Sequence, residues 1–428
     1  MRCTDVMKRV LIVSPHFPPV NAPDMQRVRM SLPYFTAGGW DVTVLTVADP
    51  TPTAPVEAEL SATVPAPVRV VRAHCCSRSW TRFLGINNVA LRALPFLFLA
   101  GCRLLAGRRY DVVYFSTTMF IVLPFGRIWR RLSGVPYVID LQDPWVTDYY
   151  SRPGAPRPPG GWKYKIAHGL AVLLEGWSQG RVSHLITVSD AYRESLQARY
   201  PALKDVPFTE LPFGSPDPDL QHLRATLAQR PPILPAGKLR LAFAGALGPG
   251  MLPAVEVLFA AVAEYRKSGQ PVSVHFYGTT YSHRGGREPA TLALAVKYGL
   301  QDCVHEQPGR LRYFDALQVT VEAEVNLLFG STDLGFIPSK LLALLAAGRP
   351  ILAIAHDGSA LAARLAALGQ PCILLASGEV AAANIQSALL RLHEIRHSPA
   401  PTAPESLSAR AVAVRQLEIF AAVSTVQT

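Results

Sequence analysis

Short, largely apolar runs punctuate this chain at helix-length intervals, and that alternation restricts the fold more than any other feature. In the first half they are Val10–Val13, Val42–Leu45, Val112–Phe115, Tyr137–Ile139 and Leu185–Val188. In the second half they are Leu239–Phe243, Val272–Tyr277, Val325–Phe329, Ile351–Ile354 and Cys372–Leu375. A strand wetted on one face alternates apolar and polar residues, whereas a parallel strand covered on both faces is apolar throughout. Runs of this kind joined by helices predict an α/β chain, and the series occurs twice. The expected fold is therefore two Rossmann-like doubly wound parallel-sheet domains facing a cleft.

Length agrees, because 428 residues exceed the roughly 250–300 at which a single core stops growing. Pro-rich stretches mark the boundaries, at Leu211–Pro218 and Arg230–Gly237 and again at His397–Pro404. The expected division is an N-terminal domain over 1–215, a linker over 216–237, a C-terminal domain over 238–396, and a Pro-rich break with a final helix over 397–428. Apolar residues make up 49% and charged residues 17%, which excludes wholesale disorder.

The net charge of +11 favours anionic partners. Nucleic acid is not expected, because the basic residues are diffuse and no helix-turn-helix, RNP or zinc pattern accompanies them. The six cysteines are scattered and form neither a CxxC pair nor a Cys/His cluster, so buried thiols and no metal are expected. Met1–Arg9 is polar and the run after it is too short for a signal peptide; Met7 is an alternative start. No apolar stretch reads as long enough for a membrane span. The nearest, Ala93–Ala106, is interrupted by Arg103 and fits a buried or surface-lying helix. The expected location is the cytoplasm.

Open α/β sheets bind ligands beyond the carboxyl ends of their strands, so the loops there are the candidates. After the first run comes Ser14–Arg29, a long polar turn opening a helix, with His16, Asn21 and Arg27 placed to meet a substrate or anion. Asp140 and Asp143 lie just beyond another apolar run, where carboxylates can orient a substrate hydroxyl, and Trp145 adds an aromatic face for a sugar ring. Capping by Asp143 before Pro144 is the competing explanation. The basic, Pro/Gly-rich stretch Tyr149–Gly161 is long enough for a lid. In the second half Ala244–Gly250 follows a strand with glycines at 245, 248 and 250, which lets backbone N–H groups approach a diphosphate. Asp333–Pro350 predicts a helix from Pro338, closed by Gly348, with free N–H groups over Phe336–Ser339 facing an anion.

In their order along the chain these segments resemble the GT-B fold glycosyltransferases, specifically the family-4-like retaining group. The resemblance rests on Val10–Pro19, Gly38–Thr46, Asp140–Trp145, Thr187–Asp190, Gly245–Gly248 and Pro338–Pro350. It implies transfer of a sugar from a nucleoside-diphosphate-sugar, bound by the C-terminal domain, to a glycan or lipid-linked acceptor bound by the N-terminal one, in polysaccharide or glycoconjugate synthesis. It implies donor contacts at Gly245, Gly248, Gly335, Phe336, Ile337, Ser339 and Lys340, and a catalytic role for Asp143 with Asp140 beside it. On the acceptor side it leaves His16, Asn21, Arg27 and Trp145. No cofactor and no obligatory metal are implied, since helix ends and cationic side chains offset the leaving-group charge. The final helix resembles one that braces the first domain.

Two departures stand out. The family commonly carries two glutamates eight residues apart, and counting back from Gly348 those positions hold Gly335 and Ala343. The usual Arg/Lys pair after the first C-terminal-domain strand is also missing; Arg284, Arg310 and Arg312 are replacements by charge alone. A non-catalytic GT-B partner protein is therefore the alternative. Separately, Arg127, Arg130 and Arg131 stand at i, i+3, i+4 beside Ile128, Trp129 and Leu132. Two readings of that face are open: peripheral contact with an anionic membrane, or an ordinary helix with its apolar side buried.

Overall fold

The structure is a computed structural model that describes residues 7–84, 86–107, 109–147, 161–237, 239–280, 290–376 and 381–425. The chain divides into two compact units, Met1–Gly214 with Ala409–Thr428, and Ser215–Ser408. Each unit is Rossmann-like, built on a parallel sheet with helices.

The first unit holds β1 (Arg9–Val13), β2 (Asp41–Ala48), β3 (Arg69–His74), β4 (Val112–Ser116), β5 (Tyr137–Leu141), β6 (His184–Thr187) and β7 (Phe208–Glu210). They pair in parallel in the order β3-β2-β1-β4-β5-β6-β7. The second unit holds β8 (Leu239–Ala244), β9 (Val272–Tyr277), β10 (Val304–Gln307), β11 (Val325–Phe329), β12 (Ile351–His356) and β13 (Cys372–Leu375), in the order β10-β9-β8-β11-β12-β13. Every residue of β4, β5, β11 and β12 is buried, as continuous apolar runs require. In each sheet the winding reverses beside the first strand, between β1 and β4 and between β8 and β11. That reversal opens a crevice at the carboxyl ends.

Three strands were not legible as apolar runs: β3, β7 and β10. Each is a sheet edge, and their burial is patchy.

The segment 216–237, expected as a linker, carries the helix Asp217–Thr226. Tyr313 Oη donates to Asp219 Oδ2 at 2.6 Å, and Arg224 Nη2 donates to the carbonyls of Ala346 and Ala347 at the end of the helix Leu341–Ala347. A cation there meets the negative end of the helix dipole, so the segment is part of the second unit rather than a free connection. The closing helix, Ala409–Thr425, lies with the first unit. Phe420 is fully buried against Phe35, Trp40 and Tyr114, and Gln416 accepts from Ser31 Oγ and donates to Tyr114 Oη, each at 2.7 Å.

Among the described residues one helix, Val89–Gly107, is long and apolar enough to cross a membrane by length and composition. The reading that no stretch reaches that length missed it, because Arg92 and Arg103 interrupt the run. In the structure it is a helix of the first unit's core. Ala90, Ala93 and Leu97 are fully buried, and the buried Arg92 guanidinium pairs with Asp49 at 2.5 Å. Trp129 is likewise core, at 1% exposure, so the apolar side of the helix Pro124–Ser133 is largely buried against its own unit.

Candidate functional site

In the first unit the loops after β1, β4 and β5 meet at the switch point. His16 is half-buried, and its Nδ1 lies 2.9 Å from Asp24 Oδ1. Asp24 is buried and also accepts from Thr117 Oγ1 at 2.8 Å and from the Thr118 N–H at 3.4 Å. Gln142 Nε2 donates to the Asp24 carbonyl at 2.9 Å. A carboxylate at Nδ1 favours the Nδ1–H tautomer. That leaves His16 Nε2, which has no partner among the described residues, as a proton acceptor.

Asp143 stands exposed beyond β5. Crowding by protein atoms and, secondarily, the like charge of Asp24 raise its carboxyl above the ordinary range. Asp143 in turn adds to the burial that raises the Tyr192 phenol. Trp145 stacks on Phe120 with centroids 5.6 Å apart and planes at 17°. His16, Asp143, Tyr192 and Trp145 are thus the groups presented along this edge. Asp24, Thr117 and Gln142 hold the loops behind them.

Two sequence candidates do not belong to that set. Asp140 is fully buried and accepts from Ser116 Oγ at 2.6 Å and Tyr114 Oη at 2.9 Å. Arg27 is 2% exposed, with Nε 3.2 Å from Asp140 Oδ2 and Nη2 donating to the Leu211 carbonyl at 2.9 Å. Their charges neutralise each other inside the unit, out of reach of a ligand. Asn21 is also buried, donating to Glu57 Oε1 at 2.7 Å and accepting from Gln26 Nε2 at 3.1 Å. The sequence placed all three near strand ends correctly. It carried no sign that their side chains turn inward.

In the second unit the loop after β8 runs alongside the exit of β9. Gly245 (φ +144°) donates its N–H to the Tyr277 carbonyl at 2.8 Å, and Leu247 donates to Thr279 at 2.9 Å. The Gly245 amide expected to approach a diphosphate is therefore already used, and its glycine requirement comes from backbone conformation. A Cβ on Gly248 would meet only open space.

The helix expected from Pro338 begins at Leu341. The turn before it is tied by Asp333, whose carboxylate accepts from the Gly335 N–H at 3.1 Å and whose carbonyl accepts from Phe336 at 3.0 Å. Those two amides are thereby engaged within the turn. Ile337 and Ser339 are exposed. Lys340 reaches back so that Nζ sits 3.0 Å from the Phe243 ring centroid and 3.3 Å from the Ala244 carbonyl. Among the described residues no carboxylate pairs with it, and burial holds its pKa well below the usual lysine value. Its amine stands at the end of β8, beside the switch point. Arg310 is exposed, and its backbone passes beside Gly278, where a Cβ would lie in ordinary contact at 3.8 Å from Arg310 Cα. Arg284 and the Tyr149–Gly160 part of the expected lid lie outside the described residues. Among the described residues no group of three or more His, Cys, Asp or Glu side chains is placed to hold a metal ion.

The comparisons with known proteins match this architecture. Sucrose-phosphate synthase from Thermosynechococcus elongatus superposes with a TM-score of 0.59 at 16% identity, over 98% of this chain and 100% of that one. Anabaena HepE in complex with UDP-glucose gives 0.53 at 16%, over 98% and 99%. The UDP-GlcNAc 2-epimerase of Methanocaldococcus jannaschii gives 0.52 at 10%, over 96% and 99%. No curated protein matches the sequence. The chain is thus a GT-B protein. Over residues 26–214 it matches the family model of the glycosyl transferase 4-like domain, in line with the resemblance.

Proposed function

We propose that the protein transfers a sugar from a nucleoside-diphosphate-sugar to a glycan or lipid-linked acceptor in the cytoplasm, with retention at the anomeric carbon, in polysaccharide or glycoconjugate synthesis. The observation that carries this is the cluster of His16, Asp24 and Asp143 at the switch point of a glycosyl transferase 4-like domain. On this reading His16 Nε2 accepts the hydrogen bond of an acceptor hydroxyl, Asp24 fixes the imidazole, and Asp143 lies beside the transferred sugar. In the second unit Lys340 and the main-chain N–H groups of Ala246 and Gly248 meet the diphosphate as its charge develops, with no obligatory metal. HepE, of the same fold, has been captured with UDP-glucose, which supports a nucleotide-sugar donor.

A second reading, a non-catalytic partner protein in such a pathway, is favoured by one observation. Gly335 and Ala343 supply no carboxylate where the family has two, and Asp333 is engaged with its own turn. Melting curves with UDP-, GDP-, ADP- and TDP-sugars separate the two. A donor at 100 times its dissociation constant adds about 2.7 kcal/mol of apparent stability, and nucleotide release with an acceptor then shows turnover. An axial or equatorial anomeric proton in the NMR spectrum of the product decides retention. No shift and no release with any donor refutes transfer.

A further inference from the structure

The first unit carries a surface that its fold does not use. On the helix Trp162–Gln179, Ile166, Leu170, Leu173 and Trp177 recur at i, i+4, i+7 and i+11. They form one stripe about 16 Å long at 1.5 Å per residue. Leu173 is 67% exposed and Ile166 62%. Large aliphatic side chains aligned at helical spacing normally face a core, and here they face outward. Leu132, on the neighbouring helix Pro124–Ser133, is exposed as well.

The end of the stripe runs into a cavity of about 440 Å³ lined by Arg127, Arg130, Arg131 and Arg181 together with Ile128 and Trp177. Arg127 stacks over the Trp177 ring at 4.8 Å and donates to its carbonyl at 2.9 Å, while Arg130 donates to Arg181 O and to Ser183 Oγ. These bonds fix two guanidiniums without neutralising them. Among the described residues none of the four arginines is ion-paired with a carboxylate. The one acid of the apolar helix, Glu175, is buried and held by Arg199 at 3.1 Å and Tyr200 Oη at 2.9 Å. The helix Pro124–Ser133 has none. The surface is therefore apolar, basic and free of exposed acid along both helices.

We propose that this face docks the first unit on an anionic phospholipid surface, the stripe entering the acyl–headgroup boundary and the four-arginine cavity taking a lipid phosphate. Charge complementarity selects that occupant. A second copy of the chain paired on this face about a two-fold axis would set the same four guanidiniums against each other, and a neutral partner would leave them unmatched. An interfacial helix combines a buried apolar face with basic residues at headgroup level, and each arginine near the surface strengthens the attraction. The face keeps Arg127, Arg130, Arg131, Ile128 and Leu132 of the one read in the sequence; Trp129, expected beside them, is buried in the core, and the stripe of the helix Trp162–Gln179 takes its place as the apolar contact. The proposal does not depend on sugar transfer.

Sedimentation of the full chain with phosphatidylcholine vesicles, alone or with one-third phosphatidylglycerol, tests it. Binding to the anionic vesicles is expected to exceed that to neutral ones at least ten-fold and to fall as salt rises. Arg131→Glu/Arg181→Glu and Leu170→Ser/Leu173→Ser each lower it at least ten-fold, while both variants, altered only at surface positions, keep the wild-type melting temperature. Equal or negligible binding to both vesicles overturns the proposal, as does binding that neither variant weakens. So does calorimetric uptake of inorganic phosphate without vesicle binding, which would mark a free-phosphate site. A dimer abolished by the leucine variant, again without vesicle binding, would assign the face to self-association.

Discussion

Replacing Arg27 by Ala separates a buried structural charge from a ligand contact. In the native unit its Nε lies 3.2 Å from Asp140 Oδ2, with side chains 1% and 0% exposed. Removing the guanidinium leaves a carboxylate in the interior with only the Ser116 and Tyr114 hydroxyls donating to it. Asp140 Oδ1 already lacks a hydrogen-bond partner among the described residues, so nothing nearby takes up the lost compensation. Breaking one side of such a pair costs about 3–5 kcal/mol, and the lost bond to the Leu211 carbonyl points to the upper part of that range. For a unit of this size each kcal/mol moves the midpoint about 2–4 °C, so a drop of roughly 6–20 °C is expected. Calorimetry of the variant reads it directly. Adding Asp140→Asn removes the stranded charge and restores at least about 1 kcal/mol relative to the sum of the single changes. The reasoning fails if Arg27→Ala melts within two or so degrees of wild type while losing ligand affinity or turnover, since that is how an exposed substrate contact behaves.

Asp143→Ala should do the reverse. The side chain is exposed, so stability stays within about 0.5 kcal/mol, while turnover falls by about 10²–10⁴; a stability loss with full activity would exclude the assigned role. Lys340→Met removes an ammonium that burial disfavours. We expect the apo second unit to gain about 1 kcal/mol or more and to lose at least ten-fold in nucleoside-diphosphate affinity by calorimetry. Because the Lys340 pKa is lowered on folding, the wild-type unit binds fewer protons than the unfolded chain between the folded pKa and the ordinary lysine value of 10.5. Its stability from this residue therefore rises with pH in that window, and the Met variant loses the rise. His184 is held at about 4 by burial and by Arg415, down from the ordinary histidine value of 6.5. Its contribution is complete above 6.5 and is lost as pH falls through 4, because the unfolded imidazole takes up a proton first. His184→Asn should flatten acid unfolding of the first unit over that range by about 2 kcal/mol.

How much was legible follows from where each signal resides. Strands covered on both faces announce themselves, because burying both faces demands an unbroken apolar run; β4, β5, β11 and β12 could hardly read otherwise. The edge strands β3, β7 and β10 escaped, since half their side chains meet water and their composition is that of a loop. The helix Asp217–Thr226 was hidden by the prolines around it, and only its bonds to Tyr313 and to the end of the helix Leu341–Ala347 make it part of the second unit. The loops after β1 and β5 singled out in the sequence do meet at the switch point, because strand ends in a doubly wound sheet converge there. It named Asp143 and His16, yet missed Asp24, eight residues from His16 in the same turn, and Thr117 beyond β4.

By itself, then, the sequence determined the repeated α/β pattern, the two-unit division and the loops from which a site must be built, because those depend on residue type and spacing along the chain. Tertiary structure alone decided which charges face inward. Asp140 and Asp143 are three residues apart on one strand end, but one is sealed against Arg27 and the other stands in solvent. Direction and burial are set by neighbours distant in sequence, and so is an electrostatic role.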